Sequence, residues 1–224
     1  MMTNLFSSFD PLNFKSMSLN WMSSIIILLI VPPMFWLIPS RWNILWIKIS
    51  MLLHKEFKNL IKDYSFKGNT LFLTSLFFFI MLNNFMGLFP YIFTSSSHLS
   101  FTLALSLPFW LAFILYGWVK NTTHMLAHLV PENAPNILLP FLVIIETTSN
   151  IIRPGTLSIR LTANMIAGHL LITLMSNSPS NLSFMLANIV ILSQILLLIL
   201  ESAITIIQSY VFSILLTLYS SETT

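Results

Sequence analysis

The chain is predicted to be an all-α polytopic membrane protein, and three observations carry that prediction. Only 8% of its 224 residues are charged while 56% are hydrophobic, against roughly 25% charged in ordinary soluble domains. Mean hydropathy is +0.84. The apolar residues also gather into runs of about 18 residues or more, the length an α-helix needs to cross a hydrocarbon core about 30 Å thick. Helices follow because lipid offers backbone amides no hydrogen-bond partner, and a helix satisfies its own.

The predicted elements form a single membrane domain over residues 1–224, with five crossings and one helix on the surface. The first span covers residues 21–38 and contains Pro32-Pro33, which should kink it near its end. In residues 41–64, Trp42, Leu45, Trp46, Ile49, Leu52, Leu53, Phe57 and Leu60 follow helical spacing, while Lys48, Lys55 and Lys62 recur every seventh residue opposite them. That pattern predicts an amphipathic helix lying on the membrane surface, since so many charges are expensive inside lipid. Residues 70–93 and 99–119 are nearly charge-free spans joined by the short loop Thr94-Ser-Ser-Ser-His98, and Asn83-Asn84 with Gly87 are predicted to pack against a neighbouring helix. A polar connection over residues 120–136 follows.

The last two segments, residues 136–175 and 181–219, each run about 39 or 40 residues. At about 1.5 Å per residue each reaches near 60 Å, roughly twice the hydrocarbon thickness. Either each segment is broken into pieces, with Pro140 and Pro154-Gly155 as the breaks in the first, or the pair lies strongly tilted in the membrane. The short loop Ser176-Asn-Ser-Pro-Ser180 favours a tilted hairpin.

Charge sets orientation. The net charge of +3 and pI near 9.3 do not point to nucleic acid, because Arg41, Lys48, Lys55, Lys58, Lys62 and Lys67 lie together in one connection. The positive-inside rule places that connection and Lys120 on the cytoplasm-equivalent side. The N-terminus is then outside, and the chain ends inside after five crossings. Met1-Met-Thr-Asn-Leu-Phe6 reads as a mature start without signal or transit features. The chain has no cysteine, which excludes disulfides and thiolate metal sites. It has no glycine-rich phosphate loop either.

Arg160 stands out because a guanidinium keeps its proton and is costly at the centre of a membrane helix. On a helix, Glu146, Asn150, Arg153, Arg160 and Asn164 fall within about 80° of one another, and His169 lies off that stripe. In the last segment Gln194, Glu201 and Gln208 recur every seven residues. One reading pairs these groups internally, for example as an Arg160–Glu201 ion pair. The other makes them a proton or ion pathway, since carboxyl and imidazole groups exchange protons and no nucleophile accompanies them. His124, His128 and Glu132 have helical spacing suited to a metal, but beside Pro131 and Pro135 they are predicted to be an ordinary loop. Neither a metal nor a cofactor is expected. A self-contained transporter would need its own complete site and often shows internal repeats; none is visible between the halves. A structural subunit whose buried charges only pair is a further reading.

The motif run is specific. Glu146-Thr-Thr-Ser, Arg153-Pro-Gly-Thr-Leu-Ser-Ile-Arg-Leu-Thr-Ala-Asn-Met-Ile-Ala-Gly-His169, Leu200-Glu-Ser-Ala, Ile207-Gln-Ser-Tyr-Val-Phe212 and Asn83-Asn-Phe-Met-Gly-Leu-Phe-Pro90 closely resemble the subunit a family of F-type ATP synthases. The mitochondrially encoded animal form, arthropod-like, is the nearest. The resemblance covers essentially the whole chain. It implies that Arg160 is the essential arginine facing the carboxylates of a rotating c-ring, separating two offset half-channels. It implies that His169 and Glu201 line the half-channel from the intermembrane space, Glu146 the matrix-side one, and that Asn164 and Gln208 order the site around the arginine. Partners implied are the c-ring, peripheral-stalk and other membrane subunits, and the lipid bilayer. The implied location is the mitochondrial inner membrane, with the N-terminus in the intermembrane space and the C-terminus in the matrix. His128-Leu-Val-Pro-Glu-Asn-Ala-Pro135 departs from the family's H-x-x-P-x-G-T-P by lacking its glycine and threonine.

Overall fold

The computed structural model describes residues 5–12, 18–33, 35, 37–61, 68–130, 138–177 and 183–223. Lys62 and Lys67 of the basic connection, the Pro131, Glu132 and Pro135 positions, and residues 178–182, which include the end of the predicted loop, lie outside the described residues. Among the described residues seven helices follow the short 3₁₀ turn Leu5–Phe9: α1 (Leu19–Ile30), α2 (Arg41–Leu60), α3 (Asn69–Gly87), α4 (Leu99–Lys120), α5 (Thr122–His128), α6 (Leu139–Asn177) and α7 (Phe184–Thr223). Among the described residues there is no strand.

Four of these helices, α3, α4, α6 and α7, are long and apolar enough to cross a membrane. Within the expected first span, residues 21–38, the regular helix is shorter than the apolar segment. Its helix stops at Ile30, and Val31 turns extended (φ −67°, ψ 119°), because Pro32 crowds the preceding residue out of the α region. Mixed 3₁₀ and α turns give α1 a length of about 20 Å, short of a bilayer. The span expected over 70–93 is shortened too. α3 ends at Gly87, and Pro90 and Tyr91 (φ 69°) make a turn, since proline cannot continue the helical hydrogen bonds. The following Thr94–His98 loop is a 3₁₀ turn at Ser95–Ser97 whose three serines are buried.

α3 is the central helix: 44% of its most apolar stretch is buried, against 11% for α4 and for α7. It packs against α2 and α7, while α4 packs against α5, α6 and α7. Leu73, Leu76, Phe77 and Ile80 of α3 meet Leu53 and Phe57 of α2, Leu157 and Leu161 of α6, and Phe212 and Leu216 of α7 in one core. α2 is amphipathic, as its pattern predicts. Ser40 caps it by accepting the Asn43 N–H at 3.3 Å, and Trp46 packs on Phe78 at 5.0 Å. Trp42, Leu45, Ile49 and Leu52 remain exposed, a surface suited to lipid.

α6 and α7 are unbroken over 39 and 40 residues. Pro140 sits in the first turn of α6, where its missing N–H has no helical partner to lose. Pro154 is internal yet the helix continues through it. The two helices run antiparallel: Asn164 pairs with Gln208 and Gly168 meets Glu201, so α7 runs backwards as α6 advances. α7 seats its second half through a stripe of small residues, Thr205, Ser209, Ser213, Thr217 and Ser220, all nearly fully buried. Their hydroxyls donate to carbonyls three residues back, so small side chains admit close helix packing without orphaned polar atoms.

Candidate functional site

The site is built on α6, whose two sides differ in chemistry. Pro154, Leu157, Ser158, Leu161, Thr162 and Met165 are buried. On the other side Ile159, Arg160, Ala163, Asn164 and Ala167 are exposed. Arg160 therefore projects from a face of small and apolar residues, beside the exposed Leu200, Ala203, Ile206 and Ile207 of α7. Among the described residues it takes part in no ion pair. The internal Arg160–Glu201 pair is thus not formed. One turn along, Asn164 Nδ2 donates to Gln208 Oε1 at 2.7 Å, so two groups singled out from the sequence meet directly.

Glu201 is 5% exposed, and neither carboxylate oxygen has a hydrogen-bond partner among the described residues. It lies against α6 at Gly168. A Cβ added there would sit 2.7 Å from Glu201 Cδ and collide with Oε1, so the carboxylate occupies space that only glycine leaves. Next to it, His169 is half-buried with Nε2 enclosed and unpartnered. Its ring meets Phe9 at 6.0 Å, nearly perpendicular, and reaches the Gly87 backbone. Asn84 is also fully buried with both amide atoms unpartnered. Asn83 donates to the Phe79 carbonyl at 2.9 Å and accepts from Ser95 at 3.3 Å. Gly87 packs against Thr94 and Met165, so the predicted neighbour contact of the Asn83–Gly87 run is present.

The opposite end of α6 carries a different cluster. Arg153 lies 3.8 Å from Glu146 and also pairs with Glu222, and its guanidinium stands 5.1 Å over the Tyr219 ring. A cavity of about 280 Å³ opens beside it, lined by Trp110, Trp118, His128, Asn150, Arg153 and Glu222 among others. A second cavity, about 520 Å³, is lined by His124, His128 and Glu146. The His124 and His128 rings stand 6.3 Å apart. At the helical rise, Glu146 is about 21 Å and Gly168 about 12 Å along the axis from Arg160. The arginine therefore stands between two separate polar regions.

Sequence reading missed three members of these clusters. Glu222 pairs across 69 positions, and its only signal is a carboxylate at the end of a long apolar helix. Gly168 had a signal in its place beside His169. Phe9 had none.

A family model described as "ATP synthase A chain" matches residues 17–221. The chain belongs to that family. Among similar proteins, the ATP synthase subunit a of Drosophila yakuba is 60% identical over 222 residues, 99% of each chain. That of Locusta migratoria is 59% identical over 223 residues, again 99% of each, and that of Aedes aegypti 58% over 224. In this member of the family Arg160 stands on an outward face, while Glu201 is buried against α6 and His169 is half-buried.

Proposed function

We propose that the chain is the proton-translocating stator subunit of the F-type ATP synthase membrane sector, seated against a rotating c-ring in the mitochondrial inner membrane. The observation that carries this reading is Arg160, exposed and without an ion pair among the described residues, on a face of mostly small and apolar residues. A permanent cation there is expensive unless an anion meets it. The anion comes from outside the chain, as a ring carboxylate presented at mid-membrane.

The proton path has two parts. From the intermembrane space a proton passes His169 and Glu201 and neutralises a ring carboxylate, which then turns into lipid. After nearly a full rotation the carboxylate ionises beside the matrix-side half-channel at Glu146. Enclosed, unpartnered groups at Glu201, His169 and Asn84 support the first half-channel, because buried polar atoms without protein partners are commonly met by water. The cavities touching Glu146 support the second. Asn164 and Gln208 hold each other one turn from Arg160 and order the seam it emerges from. Arg160 separates the two halves electrostatically, so protons move only by way of the ring. The chain itself changes no covalent bond. Each charge crossing is worth about 2.3 kcal/mol per 100 mV, and rotation delivers that energy to the subunits that make ATP.

In this reading the segment around α1 makes the fifth crossing, α6 and α7 tilt along the ring, the N-terminus faces the intermembrane space and the C-terminus the matrix. The basic α2 and Lys120 on the matrix side support that orientation. Co-purification tests the proposal. Gently solubilised complex should contain peripheral-stalk subunits and a ring of small two-helix proteins carrying a mid-membrane carboxylate. A chain that purifies without a ring and conducts protons alone would instead be a self-contained transporter.

A further inference from the structure

The 3₁₀ turn Leu5–Phe9 is a single short turn, yet its last residue reaches the enclosed histidine of α6. Phe9 and His169 meet 160 positions apart in sequence, with ring centroids 6.0 Å apart at 85°. Three contacts hold Phe9 in place. The His98 Nε2–H donates to the Phe9 carbonyl at 2.9 Å; a carbonyl only accepts, so this nitrogen carries the proton. Directly after Phe9, the Asp10 carboxylate accepts the Leu12 N–H at 3.1 Å, and the Asp10 carbonyl accepts from Asn20 Nδ2 at 3.3 Å. His98 is itself held, stacked on Phe93 at 5.3 Å and packed against Trp21 at 5.2 Å. Such a chain of contacts is more than a frayed terminus makes.

We propose that Phe9 is a positioning residue for the proton path: its ring covers the His169 imidazole on the side of the Thr94–His98 loop, and His98 latches it there through the Phe9 carbonyl. The inference rests on the reading of His169 as a proton-path group. A proton-relaying imidazole must present its nitrogens in one orientation and exchange only with the intended water. An aromatic ring across one side restricts both.

The test uses the whole ATP synthase in membrane vesicles, with diethyl pyrocarbonate added on the side of the Thr94–His98 loop and modification of each histidine followed by peptide mass spectrometry. His124 and His128, at the far end of the molecule, report reagent leakage. Phe9→Ala should raise the modification rate of His169 several-fold. Phe9→Tyr, which keeps the ring, should stay near the parental rate, and His98→Phe, which keeps a ring but has no donor, should fall between. An unchanged His169 rate in assembled Phe9→Ala complex overturns the proposal. Should that variant fail to assemble, an unchanged rate in His98→Phe overturns it equally. Reagent access does not depend on coupled proton flow, so a failure of the transport reading and a failure of this one are separately visible.

Discussion

Arg153 and Arg160 are seven residues apart on one helix and meet opposite fates. Arg153 is neutralised by Glu146 and Glu222 and stacked on Tyr219. Arg160 has no ion pair among the described residues. Helical phase, read from the sequence, puts both on one stripe together with Glu146, the nearer partner of Arg153 along the chain. Glu222 was not legible there, because a local pattern says nothing of a partner 69 positions away. Gly168 shows the same limit. Its place beside His169 is visible in the sequence, but its use, to admit the Glu201 carboxylate, needs the facing helix. Gly168→Ala should therefore displace that carboxylate and strongly reduce ATP-driven proton flow, with a packing penalty of about 1–3 kcal/mol. Shortening the neighbour, as Gly168→Ala with Glu201→Asp, should recover part of the flow. Flux in membrane vesicles checks both, and undiminished flow in the single variant would show that the close contact has no role.

At the scale of elements, length was the most readable property. Two segments near 60 Å could be broken or tilted; α6 and α7 are unbroken, which supports the proposed tilt. In the first apolar segment the hydropathy of residues 21–38 is continuous, but the regular helix ends at Ile30, two residues before Pro32, a boundary that hydropathy does not register. How α7 binds the bundle was hidden as well, since Ser209, Ser213, Thr217 and Ser220 look like incidental polarity in an apolar run. In the fold they form the close-packed seam. Ser213→Leu should overfill it by about 1–3 kcal/mol and lower the amount of assembled complex on native gels, whereas the same change at the exposed Asn188, near the start of α7, should be tolerated better. Equal assembly of the two variants would mean that the seam is not what seats α7.

In the two long helices the described charged residues are buried or gathered at one end, with Arg160 as the exception on an outward side. Around Arg160 the outward surface is apolar, the polar region at Glu201 and His169 lies on one side of it, and the cluster at Glu146 lies on the other. Composition and motif spacing made the membrane class and most of these residues legible. The division into two regions emerged only from packing, because Glu201 and His169 are brought together by α7 folding back on α6. In the proposed function Arg160 serves a carboxylate outside the chain and keeps the two regions electrically apart. Replacing Arg160 with alanine in the assembled complex and measuring ATP-coupled proton flow tests it most directly. The flow should be abolished while the complex assembles at near-normal levels; ATP synthesis at the normal rate in that variant would contradict the account.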